Sequence, residues 1–534
     1  MKVKVQVTIE HDGVSDNYEP LVAEVACFER AQLSPETLGL TLAEGKALLA
    51  GVQQTLVTAQ TKAYVQQHGE CPHCGAMYGI KGKHTLTLRT LFGKLRLFSP
   101  RYYNCSCRPC HYGQVTCQPN QPNLPQKKSF SPLAMLLSKR TLPEFQYLQT
   151  KWAALMSYGL TASMLEEVLP LDKRVSIATI SAQVGRVADR VKSELGEEQA
   201  MFIEGCPAAW AALPEPDGPI TVGLDGGYVH GREGKNRKAG CFEVIVGKSM
   251  PQEGPFRRFG YVNGPDRKPK RRLYELLKAQ GMQENQQMIF LSDGGDTVRA
   301  LPLYMNPQSE HLLDWFHVAM RLTVLSQMAK GIPKDVPKSI PKDVPKGLSR
   351  QQKRVQKGVA WTVEEIEDEA EDEDELEEEE ADPTPQELIE QLERVKWYLW
   401  HGNVFRALQV TRWLEDDAEL LAEKSLAGKK LAKAVREFLG YINANQAFIV
   451  NYGDRYRNGE TISSAFVEST VNEVISKRFE KKQSMRWTKV GTHRLLQVRI
   501  QVLDGELRRS FERWYPGMKT AMVKQETEEE RYAA

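Results

Sequence analysis

Asp225, Asp293 and Glu468 are the residues of this chain best placed to do chemistry together. Asp225 lies inside ITVGLDGGYV, a run apolar on both faces, as a central strand requires. Asp293 closes QQMIFLSD, at the carboxyl end of a second buried-strand pattern. Glycines follow each, in DGG and again in DGGD, where a backbone or a ligand can approach closely. Glu468 belongs to AFVESTVNEVISKRF. Read as a helix, that segment puts Glu468, Asn472, Ile475 and Phe479 on one stripe beside Val471. Charge is costly to bury, and three acids in such places are most simply explained by a shared cation. Oxygen ligands suit Mg²⁺ or Mn²⁺. Two such ions about 3.5–4 Å apart activate a water or hydroxyl and stabilise the leaving oxygen in phosphoryl transfer. Each acid has a structural alternative: a hairpin turn for Asp225, a helix cap for Asp293, an arginine partner for Glu468. Asp296 and Glu473 are competing carboxylates. Asp296 lies past the strand end, and Glu473 turns toward the basic, solvated side of the helix.

Cysteines mark a second centre. Six of the nine fall between residues 71 and 117, around the strand-like TLTLRTLFGKLRLFSPRYYNC. Two knuckles, CPHC and CSCRPC, match the four-thiolate demand of tetrahedral zinc, with the long spacing of a zinc ribbon. Cys71 and Cys74 form the first pair. The second offers Cys105, Cys107 and Cys110 for two places; spacing favours Cys107 with Cys110, and Cys105 with Cys107 stays open. Cys117 is read as a spare. No open coordination position is implied, so the Zn²⁺ is structural and presents the basic stretch Lys81 to Arg101 to DNA.

The elements that must position these groups follow from the rest of the chain. With 534 residues, 41% hydrophobic and 26% charged, it reads as a soluble multidomain protein. MKVKVQVTIEHDG alternates like a strand and lacks a signal-peptide core. No run of about 18 apolar residues suggests a membrane span, and the odd cysteine count fits a reducing compartment. The expected location is therefore inside the cell. The net charge of +2 hides an asymmetry: Glu364 to Asp382 holds 15 acidic residues, and without them the remainder carries +17. Such a balance suits a polyanionic partner.

The expected organisation is a strand and helix segment in 1–70, a zinc-ribbon-like module in 71–120, and helices in 130–200. Within the last, the segment from Thr161 reads as helix, turn, helix, with Ser176 or Thr179 as a cap. It fits a DNA-reading helix-turn-helix or plain helical packing. Residues 218–325 alternate strands with helical patterns, as in a mixed α/β sheet. Residues 326–460 form a helical insertion. It contains the tandem repeat IPKDVPKS–IPKDVPKG, an extended linker, and the acidic tract 364–382, disordered through like-charge repulsion. Residues 461–520 return to the core with the Glu468 helix, and 521–534 are a disordered tail.

VGLDGGYVHG, LSDGGDTVRALP, HLLDWFHVAMRLTVL, KWYLWHGNVFRAL, AFVESTVNEVISKRF and MRWTKVGTHRLLQVRIQVLDGEL occur in this order. They resemble the DDE transposases of bacterial insertion sequences, specifically the Kra-type family, from about Ser131 to Pro516. The resemblance implies a ribonuclease H-like core interrupted by an all-α insertion, with Asp225, Asp293 and Glu468 as the catalytic, metal-holding acids. It further implies two Mg²⁺ or Mn²⁺ ions, cleavage at the element's terminal inverted repeats, and joining of the freed 3′-hydroxyl to target DNA. A homodimer or higher assembly in the bacterial cytoplasm, associated with the nucleoid, goes with it. Related transposases carry an Asp-x-x-His or Cys-x-x-His pair here, which makes His317 a candidate for orienting the scissile phosphate. Asp314 and His317 share a helix face, and a hydrogen-bonded core pair is the structural alternative. Lys477, Arg478, Lys481, Lys482 and Arg486 are expected to hold phosphates, with Trp487 stacking on a base. A metal-dependent nuclease without strand transfer, and a transposase-derived DNA-binding protein without catalysis, are the alternatives.

Overall fold

The computed structural model describes residues 1–10, 21–105, 107, 129–199, 206–232, 240–295, 301, 309–332, 383–480 and 486–521. The Pro/Lys repeat beyond Ile332, the acidic tract 364–382 and the tail from 522 lie outside the described residues, as do Asp296, Cys110, Cys117, Lys481 and Lys482. The chain divides into two compact units, Met1–Glu194 with Gly491–Ala534, and Leu195–Val490. The expected 461–520 segment is thus shared between them. Its C-terminal part is tied into the first unit by Arg494 to Asp189 at 2.8 Å and Arg508 to Glu144 at 2.8 Å. No helix among the described residues is long and apolar enough to cross a membrane.

The first unit opens with an antiparallel hairpin, β1 (Lys2–Ile9) and β2 (Leu21–Glu29). A helix, Leu42–Gln67, follows, begun by a capping box in which Thr41 and Glu44 satisfy each other's free amide. Next come β3 (Ile80–Thr90) and β4 (Gly93–Tyr103), an antiparallel pair, with the short β5 (Ser129–Phe130) on β4. Strict alternation sends Leu86, Leu88, Leu95 and Leu97 to one face, where they pack with Val57 and Leu133. Helices Tyr158–Val168 and Ile177–Ser193 occupy the expected helix–turn–helix stretch, and Ser176 caps the second, accepting from the Thr179 amide at 3.2 Å.

The second unit is built on a five-stranded sheet. β6 (Ile220–His230), β7 (Cys241–Met250) and β8 (Arg257–Tyr261) form an antiparallel meander. β9 (Met288–Ser292) returns through the helix Pro269–Ala279 to lie parallel to β6, and β10 (Ser309–Leu313) lies parallel to β9. The order across the sheet is β10-β9-β6-β7-β8. Alternation again divides the faces. Ile220, Val222, Leu224, Met288 and Phe290 pack with Leu273 and Leu277 of the crossover helix. The opposite face carries Gly223, Asp225 and Gly227, with Ile289, Leu291 and Leu312 packed by Phe466. Helices Trp315–Lys330, Pro385–Trp400, Val404–Lys424 and Leu426–Asn445 bury a separate core around Leu322, Leu399, Leu414 and Val435. Three of these helices fall within 326–460, and Trp315–Lys330 begins before it.

Candidate functional site

Strand register brings the two aspartates together. Gly223 pairs with Leu291 across parallel β6 and β9. Two residues further on, Asp225 therefore stands level with Asp293, just past the ladder and on the same face. Leu313 pairs with Ser292, and the Asp314 amide continues the ladder by donating to the Ser292 carbonyl at 2.8 Å. Asp225, Asp293 and Asp314 thus form a row across three adjacent parallel strands. The carboxyl ends of parallel strands are where open α/β sheets collect their ligands.

The helix Ala465–Val471 crosses this face, and glycines let it come close. A Cβ on Gly223 would sit 2.1 Å from Val467 Cγ2. One on Gly227 would sit 2.6 Å from Ile475 Cδ1. Gly294, at φ +81°, turns the chain after Asp293, and a Cβ there would meet the Asn445 side-chain oxygen at 2.2 Å. Gly227 and Gly294, among the glycines that follow Asp225 and Asp293, are thus explained by packing against helices.

The orientation of the Glu468 helix differs from the sequence expectation. Its buried stripe is Val467, Thr470, Val474, Ile475, Arg478 and Phe479, while Glu468 and Asn472 are exposed. The helix widens into a π-helix over Asn472–Glu480, and the extra residue per turn shifts every later side chain relative to a 3.6-residue stripe. Glu468 borders the apolar stripe instead of sitting within it. The same turn of geometry corrects two expected DNA contacts. Arg478 is fully buried with its guanidinium 5.3 Å from the Trp487 ring, and Trp487 is 5% exposed, packed edge-on against Phe479. In this arrangement neither presents a face to a phosphate or a base. Lys477 and Arg486 are exposed, as expected. Glu473 pairs with Arg258 at 2.9 Å, which neutralises it in place.

The electrostatics tie the acids to one another. Burial raises the Asp225 carboxyl above its ordinary range; the Gly226 amide and the charge of His317 pull it down, and Asp293 and Glu468 push it up. All the sequence-nominated groups, Asp225, Asp293, Glu468 and His317, therefore act in one field. His317 Nδ1 lies 2.6 Å from Asp314 Oδ2. Burial alone lowers the imidazole, but the Asp314 hydrogen bond and the charges of Asp314, Asp225 and Asp293 outweigh it, so the net shift is upward. Asp314 is fully buried. Burial raises its carboxyl, and hydrogen bonds from His317, the Ser464 side chain and amide, and the Phe316 amide reverse that to a net lowering.

Asp314 has a role that spacing did not suggest. One oxygen accepts from the Phe316 amide at 3.0 Å and from the Ser464 amide at 2.9 Å, and the other accepts from His317 and the Ser464 hydroxyl. Ser464 is the residue before the Glu468 helix, so Asp314 joins the His317 helix to the Glu468 helix across 150 residues of sequence. The helical block also reaches the site. Arg321, one turn after His317, lies 4.1 Å from the Tyr441 ring. Burial raises the Tyr441 hydroxyl; Arg321 lowers it, and Asp293 and Asp314 raise it further. Only the i, i+4 spacing of His317 and Arg321 was visible in sequence.

Both implied metals can be tested against the donors present. Cys71, Cys74, Cys105 and Cys107 place their sulfurs within 4.8 Å of one another, with Cys71 to Cys107 at 3.6 Å and Cys74 to Cys105 at 3.4 Å. Zinc–sulfur bonds of about 2.3 Å in a tetrahedron require sulfurs about 3.8 Å apart, so the set fits zinc. Cys105 with Cys107 supplies the second pair, the arrangement ranked second from spacing; Cys110 lies outside the described residues. Gly75, at φ +68°, lets the first knuckle close, its amide donating to the Cys71 carbonyl at 2.9 Å. Amide hydrogen bonds, led by His73, bring the Cys71 thiol down to about 6. Among the described residues the thiols are the one set of three or more such ligands drawn that close. The three carboxylates stand further apart. Oxygens on one Mg²⁺ lie within about 4.2 Å of each other at bond lengths of about 2.1 Å. As placed, the three do not form a single-ion site.

No known protein family matches the sequence, and no curated protein matches it. Among solved structures the chain is similar to the Drosophila P element transposase strand transfer complex, with 10% sequence identity and a TM-score of 0.21 over 70% of this chain and 80% of that one. At that TM-score the two chains need not share a fold.

Proposed function

We propose that this protein is a DNA transposase of the bacterial insertion-sequence type, acting through a ribonuclease H-like core with Asp225, Asp293 and Glu468 as its catalytic acids. The observation that supports the reading is strand register: Gly223 opposite Leu291 sets Asp225 level with Asp293 at the carboxyl ends of parallel strands, with Glu468 and His317 near enough to act on Asp225 by charge. The sheet order β10-β9-β6-β7-β8, a meander followed by two parallel strands, supports the core assignment. The helical block between β10 and the Glu468 helix supports the interrupted architecture.

The three carboxylates would hold Mg²⁺ or Mn²⁺. When bound, such ions supply Lewis acidity that sharpens a water or hydroxyl nucleophile and offsets charge on the phosphate. The chain's own residues do the rest. Asp225 and Asp293, fixed by strand register, define the floor of the site, and Glu468 closes it from the helix. His317 donates from Nδ1 to Asp314, which leaves Nε2 to donate to a non-bridging phosphate oxygen. Its raised pKa favours the imidazolium form that can do so. Water attacks phosphorus in line and the bond to the 3′-oxygen of the element end breaks. That 3′-hydroxyl then attacks a target phosphorus and displaces a target 3′-oxygen. Lys477 and Arg486 guide the strand, and Arg478 with Trp487 buttresses the helix from beneath. A dimer or larger assembly would hold two ends together.

The test is a cleavage and strand-transfer assay on DNA carrying the element's ends, comparing the wild type with Glu468→Gln in Mg²⁺, Mn²⁺ or chelator. Metal-dependent joined products that disappear in the variant support the reading. Equal activity in both removes Glu468 from the site. Cutting without joining makes the protein a nuclease. DNA binding with neither makes it a non-catalytic derivative.

A further inference from the structure

The β3–β4 hairpin has a second face that the zinc site and the leucine core do not use. The residues alternating with Leu86, Leu88, Leu95 and Leu97 point away from the core and are exposed or half-buried. Register sets Lys83 beside Pro100, Thr85 beside Phe98, Thr87 beside Arg96 and Arg89 beside Lys94. With Lys81 and Arg101 at the open end, the hairpin carries six cations, and residues 80–103 contain no Asp or Glu. None of the six makes an ion pair with a carboxylate among the described residues; Lys81 and Arg101 approach the Ser129 hydroxyl at 3.5 and 3.4 Å. In the middle of this face Phe98 is 71% exposed.

A ribbon that concentrates cations without acids, and leaves a phenylalanine bare among them, matches a polyanion with apolar groups between its charges. Charge alone would be satisfied by scattered lysines; one-sidedness is what distinguishes this surface. From Lys83 to Arg89 is six residues, about 20 Å of strand. The B-form major groove, about 12 Å wide, admits a two-stranded ribbon and displays thymine methyl groups and the guanine edge.

We infer that the exposed face of the β3–β4 hairpin is a duplex-DNA binding site seated in the major groove. Lys83, Arg89 and Lys94 reach the flanking phosphates. Phe98 and the Thr85 and Thr87 methyls lie against base methyl groups, and Arg96 is placed for a guanine edge. Cys71, Cys74, Cys105 and Cys107 would hold a zinc ion that fastens the open end of the ribbon. The site is separate from the carboxylate site and does not depend on the chemistry proposed there.

The experiment uses the full chain and 30-base-pair B-form DNA, with binding followed by fluorescence anisotropy across a salt series. The triple variant Lys83→Ala/Arg89→Ala/Lys94→Ala is expected to lose at least about tenfold in affinity. Its slope of log affinity against log salt should fall by about 3, near 0.9 per phosphate contact. Phe98→Ala should weaken binding with the slope unchanged. Lys429→Ala/Lys430→Ala/Lys433→Ala, an equal charge loss elsewhere, should change neither by as much. Unaltered affinity and slope in the triple variant overturn the inference. Should that variant lose its zinc, measured by metal content, Phe98→Ala decides: it touches neither charge nor thiol, and full affinity there overturns the inference. Equal competition by duplex RNA, whose major groove is too deep and narrow for a ribbon, or tighter binding of single strands, also overturns it. Binding is read with no cleavage step, so this outcome stays distinct from failure of the proposed chemistry, which the Glu468→Gln strand-transfer assay reads.

Discussion

Replacing Asp314 with asparagine removes one charge and one acceptor from the most connected residue of the site. The oxygen that serves the Phe316 and Ser464 amides, at 3.0 and 2.9 Å, survives in the amide side chain. The oxygen that accepts from His317 at 2.6 Å and from the Ser464 hydroxyl becomes an NH₂ group. The serine hydroxyl can rotate and accept instead. His317 can follow only by giving up its Nδ1 proton and accepting there, which disfavours the imidazolium. A hydrogen bond to a charged partner contributes about 1.5–3 kcal/mol, and breaking a buried ion pair costs about 3–5 kcal/mol. His317 keeps 17% side-chain exposure while Asp314 has none, so the expected loss lies between, about 2–4 kcal/mol. The pH dependence follows from the two shifts. His317 is raised, so its contribution is complete below its unfolded pKa of about 6.5 and disappears as pH climbs through the folded value. Asp314 is lowered, so its contribution is complete above about 3.9 and disappears as pH falls through the folded value. The gap between wild type and Asp314→Asn should therefore be widest between about pH 4 and 6.5. Denaturant unfolding across pH measures the gap, and the NMR titration of His317 should move to lower pH in the variant. A loss under about 0.5 kcal/mol with an unmoved His317 titration would refute the account of Asp314 as the link between the two helices.

Two further expectations concern positions outside that link. Cys105→Ser should abolish stoichiometric zinc binding, while Cys110→Ser retains one zinc per chain; the opposite pattern in metal analysis would restore the Cys107–Cys110 pairing. Gly223→Ala forces a methyl toward Val467 Cγ2, 2.1 Å away, and should cost about 1–3 kcal/mol of stability by pushing the Glu468 helix off the sheet. Thermal unfolding and the strand-transfer assay should both report it, and a silent substitution would mean that the helix is not held that close.

The sequence by itself determined the local parts. The run apolar on both faces, ITVGLDGGYV, set Asp225 inside a strand, and the buried run before Asp293 set that residue at a strand's carboxyl end, because both patterns are local. The first zinc knuckle was legible for the same reason: Cys71 and Cys74 lie on one turn with their sulfurs within 4.8 Å. Tertiary structure alone decided the longer-range choices. Which thiols complete the second pair depends on where β4 ends, not on spacing. The burial of Arg478 lies in a π-helical segment that a 3.6-residue pattern does not anticipate, and Glu468 faces outward because Val467 and Thr470 take the buried side of its helix. From spacing, Asp314 was one half of a helix-face pair with His317. Its hold on Ser464 exists only because packing of the Glu468 helix against Gly223 and Gly227 brings that helix's first residues to the end of β10. Periodicity records which face a residue takes; only packing settles what that face meets.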